Sequence, residues 1–209
     1  MRIDSAWNKI LHLNLYNEII EYLKEEKYIP DKIFLLKPFT YFKPSELRVV
    51  ILGQAPYSRI NSATGLAFSV PKTEKIPETL KNIFKEINNE YDNKYKFVHG
   101  DLSKWSSREK ILLLNTSLTT VEGDYNKHYK IWQKYTDIVI QEISKNTKNV
   151  CFVLLGNNAK KKRELIDESK HMIIESIHPS PQIAHQGFFG KNLFKNIEKC
   201  AGEINWENS

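Results

Sequence analysis

The sequence predicts an α/β fold, a three-layer sandwich in which helices cover both faces of a central four-stranded parallel sheet. Four apolar runs, at residues 49–52, 111–114, 150–155 and 172–174, have the length and composition of buried strands. Segments with helical spacing of apolar residues separate these runs, which is the order expected for a parallel sheet. Each run ends in a polar segment, so the polar ends should meet at one edge of the sheet.

The composition is typical of one globular domain. The chain has 209 residues and 41% hydrophobic residues, enough for one substantial core, so we expect residues 1–209 to form a single domain and a monomer. No apolar run approaches membrane-spanning length, and the polar N-terminus lacks the pattern of a signal peptide. We therefore expect an intracellular protein without a membrane partner, in the cytoplasm or, for a eukaryotic or viral protein, the nucleus.

Charge and cysteine content limit the classes of partner. The 31 basic and 25 acidic residues leave a net charge of +6, which suits a polyanion such as DNA, although a solvated Lys-rich surface has the same charge. The basic run at residues 160–163 is a more specific candidate because it follows a strand and a glycine turn. The two cysteines, Cys151 and Cys200, belong to no Cys-x-x-Cys or Cys/His cluster, so no metal or cofactor is indicated.

The chain before the first strand has two parts. Residues 5–26 carry apolar residues at helical spacing, with Ser5 as a candidate N-cap, and this pattern predicts an amphipathic helix. Residues 27–46 contain three prolines among aromatic residues, a composition unfavourable to a long helix. We expect this second segment to wrap the sheet.

From the first strand onward, strands and helices alternate. Residues 77–79, Pro-Glu-Thr, predict the start of a helix, and residues 97–105 are expected to form a loop before the second strand. Helical spacing recurs over residues 130–145, and a basic helix is expected to begin near Ala159. The last predicted helix covers residues 191–200.

If the four strand exits converge, they bring together groups suited to a planar heterocycle. Aromatic, amide and imidazole side chains follow the strands, at Gln54, Tyr57, Phe68, Asn115 and His178. An aromatic face can stack on such a ring, and an amide and an imidazole can bond its edge. Small hydroxyl and amide groups that suit phosphates lie nearby, at Ser58, Thr79, Asn157 and Ser180. Taken singly, each residue also has a structural interpretation as a core, capping or turn residue.

The sequence resembles the family 1 uracil-DNA glycosylases in several motifs. They are Gly-Gln-Ala-Pro-Tyr-Ser at 53–58, Gly-Leu-Ala-Phe-Ser-Val at 65–70, His-Gly-Asp-Leu at 99–102, Leu-Leu-Leu-Asn at 112–115, Ala-Lys-Lys-Lys at 159–162, His-Pro-Ser-Pro at 178–181 and Gly-Phe-Phe-Gly at 187–190. The resemblance covers nearly the whole chain. It implies an enzyme of base excision repair that flips deoxyuridine out of DNA and hydrolyses the N-glycosidic bond, with water and no cofactor.

The resemblance also implies a role for each site residue. Phe68 would stack on the base, and Asn115 would pair with the polar edge of uracil. Tyr57 would exclude the methyl group of thymine, and Gln54 would act mainly through its backbone. His178 would bond uracil O2 and stabilise the negative charge on the departing base. Phosphates would bind to Ser58, Thr79, Asn157, Ser180 and the basic run that begins at Lys160.

Two positions of the water-activating motif depart from the family pattern. Ala55 stands where the family has Asp, and Ser58 stands where it has His. The Asp positions the attacking water and offsets positive charge on the sugar, and loss of a general base typically costs about 100- to 10,000-fold in rate. The nearest carboxylates in sequence are Glu74, Glu78 and Asp101.

The segments expected to contact DNA depart from the pattern as well. Gln182 replaces a Leu that fills the space vacated by the flipped base, and an amide is a poorer apolar plug. Arg59 and Ile60 replace a small Gly-Pro step, and Leu155 replaces a Trp.

Three functional hypotheses therefore stay open. The protein could be a glycosylase that still removes uracil, slowly or with preference for single strands. It could be a glycosylase for a larger or modified base, for example in defence against modified phage DNA, although Tyr57 disfavours bulky groups at C5. It could also be a non-catalytic DNA-binding protein on this scaffold, which would not need Phe68, Asn115 and His178. A protein inhibitor or replication partner could bind the same DNA face.

Overall fold

The computed structural model describes residues 2–208 and contains a four-stranded, wholly parallel sheet in the order β2-β1-β3-β4. The strands are β1 (Val49–Gly53), β2 (Ile111–Asn115), β3 (Cys151–Leu155) and β4 (Met172–Ser176). The central strand β1 pairs with β2 in a register that sets Gly53 beside Asn115. Because all four strands run the same way, their carboxyl ends share one edge.

Both faces of the sheet are buried. Leu52 and Leu114 pack into one hydrophobic core, whereas their neighbours Ile51 and Leu113 pack into a second core on the opposite face. This alternation is the period of two that a strand imposes on its side chains. A sheet buried on both faces explains why its strands are continuous apolar runs in the sequence.

Helices form the two outer layers. They are α1 (Asn8–Leu11), α2 (Leu13–Tyr22), α3 (Glu78–Glu90), α4 (Ser103–Ser107), α5 (Tyr129–Asn146), α6 (Asn157–Lys160) and α7 (Leu193–Ala201). Helices α1, α2 and α5 contribute to the first core, and α3, α4 and α7 contribute to the second. The predicted three-layer sandwich is therefore confirmed. Within residues 2–208, no helix is both long and apolar enough to cross a bilayer.

The prediction of one continuous helix over residues 5–26 is wrong. The segment begins as a 3-10 turn at Ser5–Trp7, and His12 interrupts it between α1 and α2 with a left-handed backbone (φ 43°). The cap is Asp4, whose carboxylate accepts a hydrogen bond from Ala6 N at 2.9 Å. The apolar spacing persists across the break because both helices pack against the same core.

Several element boundaries also differ from the sequence prediction. Strand β4 continues through Glu175 to Ser176, because an edge strand can keep a charged side chain outside the core. Trp105 lies in α4 instead of a loop, and the last helix begins at Leu193. The basic helix is a single turn, α6, followed by a 3-10 segment at Lys161–Leu165.

Candidate functional site

The polar ends of the strands meet in one cleft at the carboxyl edge of the sheet. Its volume is about 710 Å3, within the range of pockets that hold a small molecule. The predicted site residues that line it are Gln54, Ala55, Tyr57, Ser58, Phe68, Thr79, Asn115, Asn157, His178, Ser180 and Gln182. Lys160 is the one candidate that lies outside this lining. The structure therefore brings the strand exits together.

Asn115 is positioned by the pairing of β1 with β2. Its side chain is 4% exposed, and a Cβ at position 53 would lie 2.4 Å from its Oδ1 atom, so only glycine leaves room for the amide there. The next residues are anchored to β1 and its exit, because Thr116 N donates to Gly53 O and Ser117 N to Gln54 O, both at 2.9 Å. The amide thus has a defined place in the cleft wall, with both donor and acceptor capacity.

Phe68 contributes its ring to the cleft from a left-handed backbone conformation (φ 65°). That conformation is unfavourable for a bulky residue, so contacts must hold it. Ala67 N donates to Leu113 O at 3.1 Å, and the Tyr57 hydroxyl donates to Phe68 O at 3.2 Å. Burial raises the pKa of Tyr57, so this hydroxyl stays protonated at neutral pH. The Phe68 and His178 ring centroids are 6.0 Å apart.

His178 is held in one neutral tautomer. Ser180 N donates to its Nδ1 at 3.1 Å, which leaves the proton on Nε2. Burial lowers the pKa of His178 below its ordinary value of 6.5, so the imidazole is neutral at pH 7. Gly156 (φ 87°) lies against it, since a Cβ there would approach His178 Cβ to 2.8 Å. Asn82 on α3 donates to Pro179 O at 2.9 Å and fixes the same loop. The site therefore offers an oriented Nε2–H donor.

The candidate phosphate ligands surround the same cleft. Thr79 lies in the first turn of α3, Asn157 begins α6, and Ser58 and Ser180 lie in the loops after β1 and β4. The Gln54 side chain is engaged elsewhere, because its Nε2 donates to Asn126 Oδ1 at 2.6 Å. Its backbone carbonyl accepts from Ser117 N, as described above, so Gln54 braces the loop through both groups.

The basic run at residues 160–163 is not the continuous cationic surface that its sequence predicts. Lys162 is 2% exposed, and its Nζ lies 2.6 Å from the Asp137 carboxylate on α5. Arg163 pairs with Glu168 at 2.5 Å and with Glu175 at 3.3 Å. The prediction is therefore wrong for Lys162, because Asp137 pairs with it inside the protein, and Arg163 is paired with two carboxylates at the surface.

The cleft lining contains no acidic side chain among the described residues. The nearest carboxylates in sequence are engaged outside it. Glu74 lies 3.8 Å from Arg59 and Glu78 lies 2.6 Å from Lys81, whereas Asp101 accepts a hydrogen bond from Ser103 N, at the start of α4, at 2.8 Å. Residues 2–208 also contain no group of three His, Cys, Asp or Glu arranged to hold a metal ion. The cleft must therefore act through neutral groups.

Some lining residues carried no signal as site residues in the sequence. They are Tyr125, Asn158, Ile183 and Gln186. Tyr125 lies in the turns between β2 and α5, ten residues after the end of β2, and nothing in the local sequence places it at the cleft. Asn158 and Gln186 resemble ordinary turn residues, because turns lack the periodicity that locates a helix or strand.

Comparison with known proteins gives consistent matches. The family model for the uracil DNA glycosylase superfamily matches residues 39–200. A uracil-DNA glycosylase of Borrelia turicatae is 42% identical over 98% of this chain and 96% of its own length. One from Francisella tularensis is 42% identical over 91% of each chain.

Solved structures agree with these sequence matches. Mimivirus uracil-DNA glycosylase superposes with a TM-score of 0.76 and 29% identity, over 86% of this chain and 70% of that one. A variant of the mimivirus protein was solved in complex with UGI. The UNG of Nitratifractor salsuginis, at 20% identity and a TM-score of 0.72 over 96% of this chain and 94% of that one, shares the fold. From the fold, the cleft and these matches together, the chain belongs to the uracil-DNA glycosylase superfamily.

Proposed function

We propose that the protein is a DNA glycosylase that flips uracil out of DNA and hydrolyses its N-glycosidic bond in base excision repair. The observation that carries the proposal is a single cleft lined by an aromatic ring, an amide and an imidazole, from Phe68, Asn115 and His178. Relatives named uracil-DNA glycosylase, at 42% identity, support the same activity. The flipped base would enter this cleft and leave its pairing partner in the duplex.

Base selection follows from the groups around the ring. Phe68 stacks on the pyrimidine, and the Asn115 amide pairs with the uracil edge. Cytosine carries an amino group where uracil has O4, and it would leave a buried amide group badly paired, which costs binding free energy. Tyr57, linked to Phe68 through its hydroxyl, occupies the side of the cleft where the thymine methyl group would project.

Catalysis would act mainly on the leaving base. The bond between C1′ and N1 breaks with its electron pair going to uracil, and His178 Nε2–H donates to O2, where negative charge develops. The oxygen of a water molecule then bonds to C1′, and that water releases a proton to solvent or to the departing base. The products are free uracil and an abasic site.

Among the described residues, the cleft lining offers no carboxylate that would activate this water. Ala55 and Ser58 line the cleft where the family motif has Asp and His, and no acidic residue replaces them there. We infer a slower reaction, by about 100- to 10,000-fold for the lost carboxylate. Gln182 at the rim is exposed and polar, so it would hold open a duplex poorly, and single-stranded DNA, in which flipping costs least, is the favoured substrate.

Partners and location follow from the same activity. Ser58, Thr79, Asn157 and Ser180 would bind phosphates beside the flipped nucleotide, and the net charge of +6 favours DNA. The complex of a mimivirus variant with UGI supports a protein inhibitor as a second class of partner. The bacterial relatives support action in the cytoplasm.

The direct test is release of uracil from oligonucleotides. Single-stranded and double-stranded oligonucleotides with one uracil are incubated with the protein, and abasic sites are cleaved with alkali. We expect cleavage at uracil, faster in the single strand. Cleavage only in hydroxymethylated or glucosylated DNA would instead support a modified-base glycosylase, and binding without any cleavage would support the non-catalytic alternative.

Two histidine variants tie this activity to the cleft. His178→Ala removes the Nε2–H donor, and we expect uracil release to fall by about 100- to 1,000-fold, as for loss of an oxyanion donor. His185→Ala is the matched control, because His185 is exposed and does not line the cleft. Equal activities of the two variants would contradict the role assigned to His178.

A further inference from the structure

Tyr125 is an aromatic residue at the cleft whose position the base pocket does not explain. It lines the cleft together with Phe68, yet it is 54% exposed, whereas most large apolar side chains of the chain are buried. Single exposed apolar residues are common on protein surfaces, but of the exposed large apolar residues that the structure describes, Tyr125 alone lines the cleft. Its place on the cleft wall makes it available to a ligand.

The turn that carries Tyr125 is fixed to the loop after β1. Gln54 Nε2 donates to Asn126 Oδ1 at 2.6 Å, and Gly123 N donates to Ser58 O at 3.0 Å. These hydrogen bonds lie on either side of Tyr125 in the sequence. The turn that carries the ring is therefore anchored to the loop that lines the base pocket.

Hydrogen bonds within the turn also limit its motion. The Thr120 hydroxyl donates to Asp124 O, and Asn126 N donates to the Asp124 carboxylate at 2.9 Å. A short bridge joins Val121 to Asp124. An ordered turn of this kind presents its aromatic side chain with little loss of conformational entropy when a ligand binds.

The cleft is larger than one flipped base requires. Its volume of about 710 Å3 lies in the upper part of the range that holds drug-sized molecules, whereas uracil is a single six-membered ring. Phe68 and Asn115 occupy the part formed by the ends of β1 and β2, and Tyr125 lines the same cleft from the following turn. The cleft thus extends beyond the part that one base would fill, and Tyr125 is among the residues that line it.

We propose that Tyr125 is a second stacking position, which binds the base adjacent to the flipped nucleotide in single-stranded DNA. Every nucleobase has a flat face, so such a site tolerates any neighbouring base. In a duplex the neighbour stays stacked and paired, whereas in a single strand it is free to rotate onto the tyrosine. The inference rests on the proposed function, because it assumes that the cleft accepts a base from DNA.

A tryptophan at position 125 tests this contact directly. The native tryptophans Trp7, Trp105, Trp132 and Trp206 are all buried, so Tyr125→Trp adds an exposed indole whose emission reports stacking. Unlabelled single-stranded oligonucleotide, with and without uracil, is titrated into the variant, and binding is measured separately by anisotropy of a labelled strand. We expect quenching that follows the binding curve.

Tyr22→Trp is the matched control for this experiment. Tyr22 is 76% exposed on α2 and does not line the cleft, so its replacement should show no quenching by the same oligonucleotides. Binding by anisotropy without quenching at position 125, or equal quenching at both positions, would overturn the proposal.

Kinetics separate stacking from a structural effect. With single-stranded uracil substrate, Tyr125→Ala should raise KM by about 5- to 150-fold, the range for loss of one stacked base, without changing kcat. Tyr125→Phe keeps the ring and should restore KM to near the wild-type value, and Tyr22→Ala should have no effect. A change of KM that Phe fails to restore, or an equal change with duplex substrate, would count against single-strand stacking.

Failure of this inference is distinguishable from failure of the proposed function. Uracil release by the wild-type protein without quenching at position 125 removes Tyr125 from the site and leaves the glycosylase proposal intact. Quenching by oligonucleotide in a protein that releases no base removes the glycosylase proposal and retains the stacking position. Absence of any binding to single-stranded DNA overturns both.

Discussion

Ala55 determines which half of the proposed reaction the protein can assist. Its side chain is a methyl group at the cleft wall, so it can neither accept a proton nor offset positive charge on the sugar. The Ser58 hydroxyl can orient a water molecule but does not ionise at neutral pH. In the proposed reaction His178 would act on the leaving base alone, so bond breaking would be stabilised while water capture would be left without help.

Restoring a carboxylate at this position should therefore accelerate the reaction. We expect Ala55→Asp to increase uracil release by about 100-fold or more, within the range for a general base. Ala55 is partly exposed, so the new carboxylate would be ionised at pH 7. Ala63→Asp is the control, because Ala63 is also partly exposed but does not line the cleft. No increase in Ala55→Asp would contradict our account of the missing group.

The protonation of His178 sets the expected pH dependence. Burial lowers the pKa of this imidazole below 6.5, its ordinary value, so the neutral form with Nδ1 bonded to Ser180 N persists into mildly acid solution. Uptake of a proton at Nδ1 removes that acceptor and breaks the bond. We expect uracil release to be constant from pH 8 to about 6.5 and to fall below the lowered pKa. In the His178→Gln variant, this fall in uracil release at low pH should be absent.

The lowered pKa of His178 also makes the stability of the fold depend on pH. The unfolded chain binds a proton at His178 at a higher pH than the folded chain does, so acid favours unfolding through this group below pH 6.5. Above pH 6.5 both states are neutral and the contribution vanishes. Urea unfolding at pH 7.5 and pH 5 should show a smaller loss of stability in His178→Gln than in the wild type.

At the scale of elements, the turn from β3 into α6 positions the imidazole. Gly156 joins the two elements with φ at 87°, and its lack of a Cβ admits His178. Alanine there would cost about 1–3 kcal/mol, because the backbone (φ 87°, ψ 169°) is one that essentially only glycine adopts, and its Cβ would also collide with the histidine. We expect Gly156→Ala to reduce uracil release by about 100-fold, comparable to loss of the donor.

The Gly190→Ala variant is a control that distinguishes the effect of backbone strain from the effect of displacing His178. Gly190 has a similar φ of 73°, and no atom lies within 4 Å of the position that a Cβ would take there. Both variants should lose stability in urea, Gly156→Ala the more because its Cβ also meets His178, whereas only Gly156→Ala should lose uracil release. Full activity of Gly156→Ala would show that the turn does not position the imidazole.

The elements also show which features a sequence can predict. The strands were identifiable because burial on both faces requires continuous apolar runs, and their polar ends had to share an edge once the sheet was parallel. The break at His12 was not identifiable, since the helices on either side keep one apolar face toward the core. Strand β4 was underestimated because its edge position permits Glu175.

At the scale of the whole molecule, some contacts between remote segments could be predicted and others could not. The convergence of Phe68, Asn115 and His178 followed from topology, and their motifs resembled a known family. Tyr125 reaches the cleft only because its turn is bonded to the loop after β1. Lys162 is buried against Asp137 of α5, a pairing that neither local sequence suggests.

This burial of cations changes how the net charge should act in DNA binding. If six phosphate contacts matched the charge of +6, the slope of log Kd against log salt concentration for a single strand would be about 4. The cleft is lined by neutral hydroxyl and amide groups instead, and two cations of the basic run are paired with carboxylates. We therefore expect a slope of only about 1 to 2, measured by anisotropy with single-stranded oligonucleotide between about 50 and 200 mM salt.

Lysine variants identify the ionic contacts that remain. Lys160 ends α6 beside the cleft residue Asn157, and loss of one phosphate contact by Lys160→Gln should lower the slope by about 0.7. Lys9→Gln, an exposed control on α1, removes the same charge and should leave the slope unchanged. A wild-type slope near 4, or equal changes in the two variants, would mean that DNA is held by the diffuse positive surface, in which case the neutral cleft would not determine where the strand binds.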